Sequence, residues 1–408
     1  MPFFSSRKKH RAENAPANGY ASPGNSGTTV PAHAAVKPKS RKRKAVKAIV
    51  ITLVCLLAAA GIAAAAYLNN LNSLLSDGVS SDEQDNIDSI LQDTSFDEPF
   101  YVLLIGSDKR ASNSSMGQRS DTNILVRIDI PNSTITMISI PRDTAITYGD
   151  YGTIKFNAAY AYDGTAGTIS AANDLCGVKI SHYVAIDFDG LTELVDSIGG
   201  VDVEVDERID DSNAGDVVIE KGQQHLDGEE ALVFARSRAY TDGDFTRVKN
   251  QRKLVKAICE KALSESFTDL ANTVTTCASY VTTDMSAQDL AAIALKLKNA
   301  GDLKIYSATI PSTTGSLNGE SYVFADVPGL QVLMEAVEDG KNPSSKKVQA
   351  AIEKAETSGT SSDGDTSSVG SNAVSQYGTS EESGTYDSSS YSSYGGGTGT
   401  YGYSSYPS

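Results

Sequence analysis

Histidine, cysteine and tryptophan are scarce in this sequence. Its 408 residues include four histidines, four cysteines and no tryptophan. There is no GxxxxGK[ST] phosphate loop, no Cys/His set at zinc-binding spacing and no GxSxG nucleophile elbow. These absences argue against a P-loop nucleotidase, a zinc enzyme and an α/β-hydrolase, so other residue types must carry any chemistry.

Positive charge is also absent from a long stretch, because no Lys or Arg lies between Lys47 and Lys109. Residues 1–47 hold eleven Lys or Arg against one acidic residue, Glu13, although the whole chain carries −16. Residues 48–68 lack charge and, at ~1.5 Å per residue, span a ~30 Å hydrocarbon core. The pattern predicts a transmembrane helix with a cytoplasmic N-terminus and an extracytoplasmic remainder, by the positive-inside rule.

A cleaved signal peptide is the alternative, since the small residues 63–66 suit a signal peptidase. The polar segment before the apolar run is longer than a usual signal n-region, and the run itself is long for an h-region. Retention as a membrane anchor is therefore favoured.

Composition divides the chain further. An acidic, polar segment follows the apolar run, and the C-terminal end is rich in Ser, Gly, Thr and Tyr, which cannot bury enough apolar surface to fold. The predicted organisation is a basic cytoplasmic segment (1–47), a transmembrane helix (48–68), an acidic stalk (69–98), an extracytoplasmic domain (99–342) and a disordered tail (343–408).

Within residues 99–342, apolar runs typical of strands alternate with helical patterns, which indicates one large α/β domain. The predicted strands are 101–106, 123–130, 134–140, 183–186, 201–205 and 304–310. The predicted helices are 188–198, 228–235, 245–264, 286–299 and 328–337.

The cysteines and histidines of this domain give weak signals. A bridge between Cys259 and Cys277 is compatible with an oxidising compartment, but buried thiols are the simpler interpretation. His182 begins a predicted strand and His225 precedes a predicted helix, so structural roles are favoured for both.

The first three predicted strands bring polar residues together. The turn at 131–133 joins the second and third strands as an antiparallel hairpin. If the first strand is antiparallel to the second, the residues that flank these strands meet at one edge of the sheet: Asp108, Arg110, Arg119, Asp121, Arg142 and Asp143. Arginine forks match phosphate oxygens and carboxylates suit Mg²⁺, so this edge suits a pyrophosphate with a divalent cation.

A second group of phosphate-capable residues follows residue 225. Asp227 is predicted to cap a short helix, and an extended stretch would point Arg236 and Arg238 the same way. Asp244 is predicted to cap the next helix, on which Arg247 and Gln251 are four apart and share a face.

These stretches resemble successive motifs of the LytR-CpsA-Psr family of bacterial wall proteins, in family order. The resemblance covers most of residues 100–340, and Phe156 is one departure, where an aliphatic residue is expected. The matching stretches are LLIGSDKR (103–110), QRSDTNILVRID (118–129), ISIPRDT (138–144), KFNAAYAY (155–162), IDFDGLTELVDSIGGVDVEV (186–205) and LDGEEALVFARSRAYTDGDFTRVKNQR (226–252).

The resemblance implies an α/β/α sandwich with a central mixed sheet that binds a polyprenyl-pyrophosphate glycan with its lipid in an apolar tunnel. Asp108 and Asp121 would serve Mg²⁺. Arg119, Arg142, Arg236, Arg238, Arg247 and Gln251 would hold the phosphates, with Lys155 as a weaker member of the set. Arg110 and Asp244 are also predicted to contact the head group.

The implied reaction is attack of a peptidoglycan hydroxyl on the glycan-proximal phosphate, which leaves a phosphodiester link and releases polyprenyl phosphate. The expected location is the cell membrane of a Gram-positive-type bacterium. The sequence does not indicate which glycopolymer is moved.

Two other functions stay open from the sequence alone. The domain could hold the lipid carrier without turning it over, as a scaffold or sensor. The basic N-terminus could also indicate a membrane-bound transcriptional regulator. No helix-turn-helix pattern accompanies it, however, and such segments more often fix topology and contact anionic lipids, so nucleic acid is not an expected partner.

Overall fold

The computed structural model describes residues 41–76, 79–107, 119–242, 244–266 and 280–359, with isolated residues between 269 and 278. The chain divides into two compact units, Met1–Ile62 and Ala63–Ser408. The described part of the first unit is helical.

Helices and strands alternate along most of the described chain. The helices are α1 (Arg41–Leu75), α2 (Ser81–Ile90), α3 (Phe156–Cys176), α4 (Phe188–Ser197), α5 (Gly228–Arg236), α6 (Asp244–Ser264), α7 (Ala287–Asn299), α8 (Val327–Glu338) and α9 (Lys346–Gly359). The strands are β1 (Phe100–Ser107), β2 (Ser120–Asp129), β3 (Thr134–Ser139), β4 (Ala145–Thr147), β5 (Thr153–Lys155), β6 (Ile180–Ile186), β7 (Val201–Val205), β8 (Gly222–Leu226), β9 (Val281–Thr283), β10 (Lys304–Thr309), β11 (Ser312–Leu317) and β12 (Glu320–Ala325).

Helix α1 contains the apolar segment. By length and composition, Val54–Leu75 is able to cross a membrane. The helix runs beyond the predicted end at residue 68, and its last turns belong to the second unit, where Leu71 and Leu75 are buried against Ala287.

The main sheet has six strands in the order β10-β3-β2-β1-β6-β9. Strand β1 is antiparallel to β2 and parallel to β6, and β2 is antiparallel to β3, as the turn at 131–133 predicts. The mixed sheet predicted from the family resemblance is therefore confirmed.

Apolar residues alternate between the two faces of this sheet, so each face buries its own core. Leu103 and Ile105 pack against α2, α3, α8 and α9, whereas Val102 and Ile124 pack against α6 and α7. Burial at roughly 25 cal/mol per Å² of apolar surface is the main force that holds helices on both sides. The result is the expected α/β/α sandwich.

A smaller cluster lies beside the sandwich and holds the arginine-rich region. It joins the β7–β8 ribbon to α4, α5 and α6 through Val203, Leu226, Phe234 and Leu254, all buried. It therefore gives the polar residues between α5 and α6 a rigid support.

Helix α3 is the largest element that the sequence pattern did not predict. Twelve of its residues are buried, so it lacks the polar stripe that identifies an amphipathic helix. Asp163 and Gly164 interrupt its helical geometry. Phe156, the departure from the family pattern, is completely buried at the start of α3, so the fold accommodates the larger ring.

Two predicted domain boundaries differ from the structure. Residues predicted as a stalk include α2, in which Ser80 caps the N-terminus by accepting from Glu83 N and Ile87 is fully buried in the core. Residues predicted as a disordered tail include α9, whose Val348 and Ile352 pack on the same core. The sequence shows a weak amphipathic helical pattern around residues 87–91 but none at α9, and it did not predict that either helix packs on the core, because their few apolar residues lie in polar surroundings.

Replacing Ile87 with alanine tests whether α2 is part of the folded domain. We expect Ile87→Ala to lower the free energy of unfolding by about 2–5 kcal/mol, because it leaves a cavity in the core. Leu295→Ala, on the exposed side of α7, is the matched control and should change stability little. Equal denaturant midpoints for both variants would show that α2 is only a tether.

Candidate functional site

The ends of β1, β2 and β3 form one edge of the sheet. Ser107 is opposite Ser120 in the β1–β2 register. Ile124 is opposite Ser139, and Ile140 N donates to Asn123 O at 2.9 Å, so Asp121 lies beside the chain that leaves β3. Arg142 Nη1 donates to Asp121 Oδ1 at 2.7 Å. Arg119 is exposed directly before β2, whereas Asp108 and Arg110 lie outside the described residues.

Asp143 extends this ion-pair network away from the sheet. Its carboxylate lies 3.5 Å from Arg142 Nε and 3.3 Å from Lys155 Nζ. Burial alone would lower the pKa of Arg142, but Asp121, Asp143 and Asp244 outweigh it and raise that pKa above its usual value. Arg142 therefore stays charged between the carboxylates of the sheet edge, Asp121 and Asp143, and that of Asp244 in the second group.

The predicted cap at Asp227 is confirmed. Its carboxylate accepts from Glu230 N at 2.9 Å, and the Glu230 carboxylate accepts from Asp227 N, which completes a capping box. The predicted extended stretch is wrong, because α5 continues through Arg236 and ends at the C-cap Ser237. Only Arg238 lies beyond the helix.

Arg236 is held by a loop and by an aromatic ring. Its Nη1 donates to Ala214 O at 2.8 Å, and its guanidinium lies 4.7 Å from the centre of the Phe188 ring. The attraction between a cation and the face of an aromatic ring fixes the plane and direction of the guanidinium group.

The predicted cap at Asp244 is also wrong. Asp244 is the first residue of α6, and Asp242 Oδ1 accepts from Thr246 N at 3.3 Å instead. The Asp244 carboxylate pairs with Arg247 at 2.6 Å and lies 3.7 Å from Arg238. It holds the two guanidinium groups together.

Arg247 is the most buried cation of the site, with 3% of its side chain exposed. Burial lowers its pKa; Asp244 opposes this shift, whereas Arg238 and Arg142 add to it. Its buried Nε–H has no hydrogen-bond partner in the part of the chain that the structure describes. A buried donor without a partner costs about 1–3 kcal/mol, and a bound anion would remove that cost.

A cavity of about 890 Å³ adjoins these residues and has two kinds of lining. Its apolar lining comes mainly from β1, β2, β6, α4 and α6 and includes Leu104, Ile124, Val184, Leu191 and Leu254. Its polar lining comes from Asp121, Thr122, Asp187, Asp211, Asn213, Arg236, Arg238, Arg247 and Gln251. The cavity thus offers room for an apolar chain next to cations for a phosphorylated head.

The structure brings most described members of the predicted set together. Arg247 and Gln251 share the buried face of α6, as predicted, and Gln251 Nε2 donates to Ala235 O at 3.2 Å. Lys155 contacts the network through Asp143 and does not line the cavity.

Asp211 is a site residue that sequence reasoning missed. Its Oδ2 accepts from Ser237 Oγ and from Arg238 N, both at 3.0 Å, so it orients the arginine segment. The bond from Arg238 N is the main reason that the pKa of Asp211 is lowered. In the sequence it belongs to an acidic loop, and no local signal separates it from its neighbour Asp210.

The two histidines of the domain lie outside the cavity lining. His182 Nδ1 is 2.5 Å from Asp284 Oδ2, and its ring contacts Phe96 and Phe100. His225 Nδ1 is 2.8 Å from Asp202 Oδ1 on the exposed ribbon.

The structure describes one of the two cysteines for which a bridge was considered, Cys259. Cys259 is a free thiol that lines the cavity, and burial raises its pKa to about 11. Cys277 lies outside the described residues, and the free thiol of Cys259 agrees with the simpler interpretation, thiols rather than a bridge.

A divalent cation has only partial support in the described residues. They contain no group of three or more His, Cys, Asp or Glu side chains that could hold a metal ion. Mg²⁺, however, is usually bound by one or two carboxylates together with substrate phosphates and water. Asp121 fits that donor set because it lines the cavity beside the arginines.

Replacing Asp211 tests the positioning of the arginine segment. We expect Asp211→Ala to weaken binding of a short polyprenyl pyrophosphate about tenfold, because two hydrogen bonds to a charged acceptor are lost. The exposed neighbour Asp210→Ala is the matched control and should bind normally. Titration calorimetry compares them; equal affinities would remove the positioning role. Because the pKa of Asp211 is lowered in the folded protein, its contribution to the free energy of unfolding should be complete at neutral pH. That contribution should be lost as the pH falls below about 4, the usual value for aspartate.

Known proteins that are similar to this chain include TagV, TagU and TagT. TagV of Bacillus subtilis (strain 168), named a polyisoprenyl-teichoic acid–peptidoglycan teichoic acid transferase, is 36% identical over 177 residues, which cover 41% of this chain and 45% of that protein. Its crystal structure matches with a TM-score of 0.52 and 28% identity, covering 63% of this chain and 98% of that chain.

TagU of Enterococcus faecalis (strain ATCC 700802 / V583), which carries the same enzyme name, is 33% identical over 250 residues, or 60% of this chain and 80% of that protein. A structure of TagT bound to LIIa-WTA matches with a TM-score of 0.51 and 26% identity, covering 65% of this chain and 94% of that chain. The alignment with TagV thus spans less than half of that relative, whereas the one with TagU spans four fifths.

The model of the LytR_cpsA_psr family matches residues 67–339. The match covers the last turns of α1, the sandwich as far as α8 and both arginine groups, and it ends before α9. The chain therefore belongs to the LytR_cpsA_psr family.

Proposed function

We propose that this protein is a phosphotransferase that moves a glycopolymer from a polyprenyl-pyrophosphate carrier to peptidoglycan. The observation that carries the proposal is the juxtaposition of an apolar cavity with Arg236, Arg238 and Arg247. An isoprenoid chain fits the apolar lining and a pyrophosphate fits the cations. The names of TagV and TagU, transferases of polyisoprenyl-linked teichoic acid to peptidoglycan, support the same reaction class.

The reaction forms one phosphorus–oxygen bond and breaks another. A hydroxyl oxygen of peptidoglycan attacks the phosphorus nearest the glycan, and the bond from that phosphorus to the bridging oxygen breaks. Polyprenyl phosphate leaves with the electron pair, and the hydroxyl proton passes to a base at the site, for which the Asp121 carboxylate is one candidate. No nucleotide is needed, because the pyrophosphate supplies the energy.

The arginines contribute positioning and charge. Arg236 is held by Ala214 and Phe188, and Arg247 by Asp244, so neither needs to reorganise when negative charge develops on the phosphates. Preorganised donors of this kind usually give the largest single contribution to catalysis.

Mg²⁺ is part of the proposal. Asp121 would hold it together with Asp108, and the ion would neutralise phosphate charge. A chelator should then abolish transfer, and added Mg²⁺ should restore it.

The proposed location is the outer side of the cell membrane. The support is the apolar segment of α1 together with the basic residues before it, which favour a cytoplasmic N-terminus. Peptidoglycan would then be on the same side as the folded domain.

Transfer by the full-length protein tests the proposed reaction. With Mg²⁺, a polyprenyl-pyrophosphate saccharide and peptidoglycan strands, we expect release of polyprenyl phosphate and labelled wall polymer. Asp121→Asn should reduce the rate at least ~100-fold, because it weakens charge and metal stabilisation at the reacting phosphates. Asp302→Asn, at an exposed loop residue, is the control. Binding of the carrier without any release would instead identify a scaffold.

Filling the cavity tests whether it holds the lipid. Cys259→Phe should weaken binding of a long polyprenyl pyrophosphate at least tenfold, because the ring occupies the apolar space, while inorganic pyrophosphate should bind as before. Glu260→Phe places the same ring on the next, exposed position and is the control. A parallel loss of both ligands would contradict a lipid role for the cavity.

A further inference from the structure

A group of tyrosines lies on the β4–β5 hairpin and α3, which pack on the sheet face opposite to α6 and the cavity. Tyr151 and Tyr162 are 58% and 48% exposed, and their rings stack with centres 4.2 Å apart at an angle of 20°. Tyr148 extends the stack, with its ring centre 6.2 Å from that of Tyr151. We call these three residues the tyrosine platform.

Two short segments hold the platform rigidly. The β4–β5 hairpin turns at Gly149–Tyr151, where Tyr148 N donates to Gly152 O at 2.9 Å. Tyr162 ends the first part of α3, just before the kink at residues 163–164. Tyr148 Oη donates to Asp163 Oδ2 at 2.7 Å and so ties the hairpin to the kink.

The kink itself is anchored from outside α3. Gly164 has a φ of +58°, and Thr165 N donates to Glu83 Oε1 of α2 at 3.3 Å. A continuous helix would leave Tyr162 without this support. The fold therefore maintains an irregular backbone at the point where the ring is presented, as is common at functional sites.

A chain of contacts connects the platform with the phosphate site. Lys155 lies 5.3 Å from the centre of the Tyr322 ring and pairs with Asp143, which contacts Arg142. Lys155 is opposite Ala145, so three residues of β4 place the platform about 10 Å from this end of the network. Its three tyrosines do not line the cavity.

In-line phosphoryl transfer indicates which substrate reaches this side. The attacking oxygen approaches opposite the leaving group. In the proposed reaction the leaving group is the polyprenyl phosphate, which occupies the cavity, so the acceptor hydroxyl must arrive from the side away from the cavity. The platform belongs to the sheet face that packs on α3, whereas most of the apolar lining of the cavity belongs to the opposite face, which packs on α6.

The chemistry of the platform suits the sugar rings of a glycan. Tyrosine offers an apolar face with a polar edge, which matches the C–H face and the hydroxyls of a pyranose ring. The exposed carboxylates of Asp150 and Asp163 can accept from sugar hydroxyls.

We infer that the tyrosine platform binds the sugar backbone of the peptidoglycan acceptor, a short oligosaccharide length from the hydroxyl that reacts. This inference rests on the proposed function. It makes Tyr151 and Tyr162 positioning residues for the acceptor, with no part in holding the lipid carrier.

Kinetics of the full-length protein in lipid nanodiscs test the inference. With uncross-linked GlcNAc–MurNAc strands as acceptor, the double variant Tyr151→Leu/Tyr162→Leu should raise the acceptor KM about tenfold. The donor KM and the kcat at saturating acceptor should change less than twofold. Tyr151→Phe/Tyr162→Phe keeps both rings and is the matched control, with a KM close to that of the wild type.

Direct binding separates this inference from the proposed function. Saturation-transfer NMR without donor should show magnetisation passing from tyrosine rings to sugar protons of the strands, retained in the Phe variant and lost in the Leu variant. A wild type that binds strands in this way but transfers nothing would remove the proposed function and leave the platform. A wild type that transfers, with the same acceptor KM in the Leu variant, would overturn the platform alone.

Discussion

Burial of several guanidinium groups close together is the constraint on which this site depends. Unpaired charges inside a protein cost several kcal/mol each, and like charges repel. Arg247 shows this directly, since burial together with Arg238 and Arg142 lowers its pKa. The carboxylates of Asp121, Asp143 and Asp244 separate the cations and make the cluster tolerable. A doubly phosphorylated ligand would complete that compensation.

These charges come from two parts of the fold, the main sheet and the smaller cluster formed by the β7–β8 ribbon with α4, α5 and α6. Strand register sets Asp121 beside Arg142, and neither can shift without disturbing the buried rows of β2 and β3. The smaller cluster supplies Arg236 and Arg238 from the end of α5, and Asp211 accepts a hydrogen bond from the backbone N–H of Arg238. The cavity lies between the main sheet and the smaller cluster, and this position makes its polar and apolar linings adjacent.

The cavity and the tyrosine platform differ in character. The apolar part of the cavity is lined mainly by aliphatic side chains and suits an apolar ligand, whose transfer out of water is favourable. The platform is exposed, aromatic and bordered by carboxylates, so it suits a hydrated polymer. A reaction that joins a lipid-linked donor to a wall polymer needs both surfaces, one on each side of the reacting phosphate. The tyrosines of the β4–β5 turn carried no signal of this kind, since their stacking depends on α3 and its kink.

The sequence by itself determined the class of fold, the apolar segment, the main-sheet hairpin and the residue types of both arginine groups. These depend on local periodicity, turn chemistry and spacing, which neighbouring residues settle. Only the tertiary structure decided that α2 and α9 belong to the domain, that Arg236 ends a helix, that Asp211 orients the arginine segment and that Tyr151 stacks on Tyr162. Those facts depend on how separate elements pack and on where each element ends in the fold, and no local pattern of residue types encodes either.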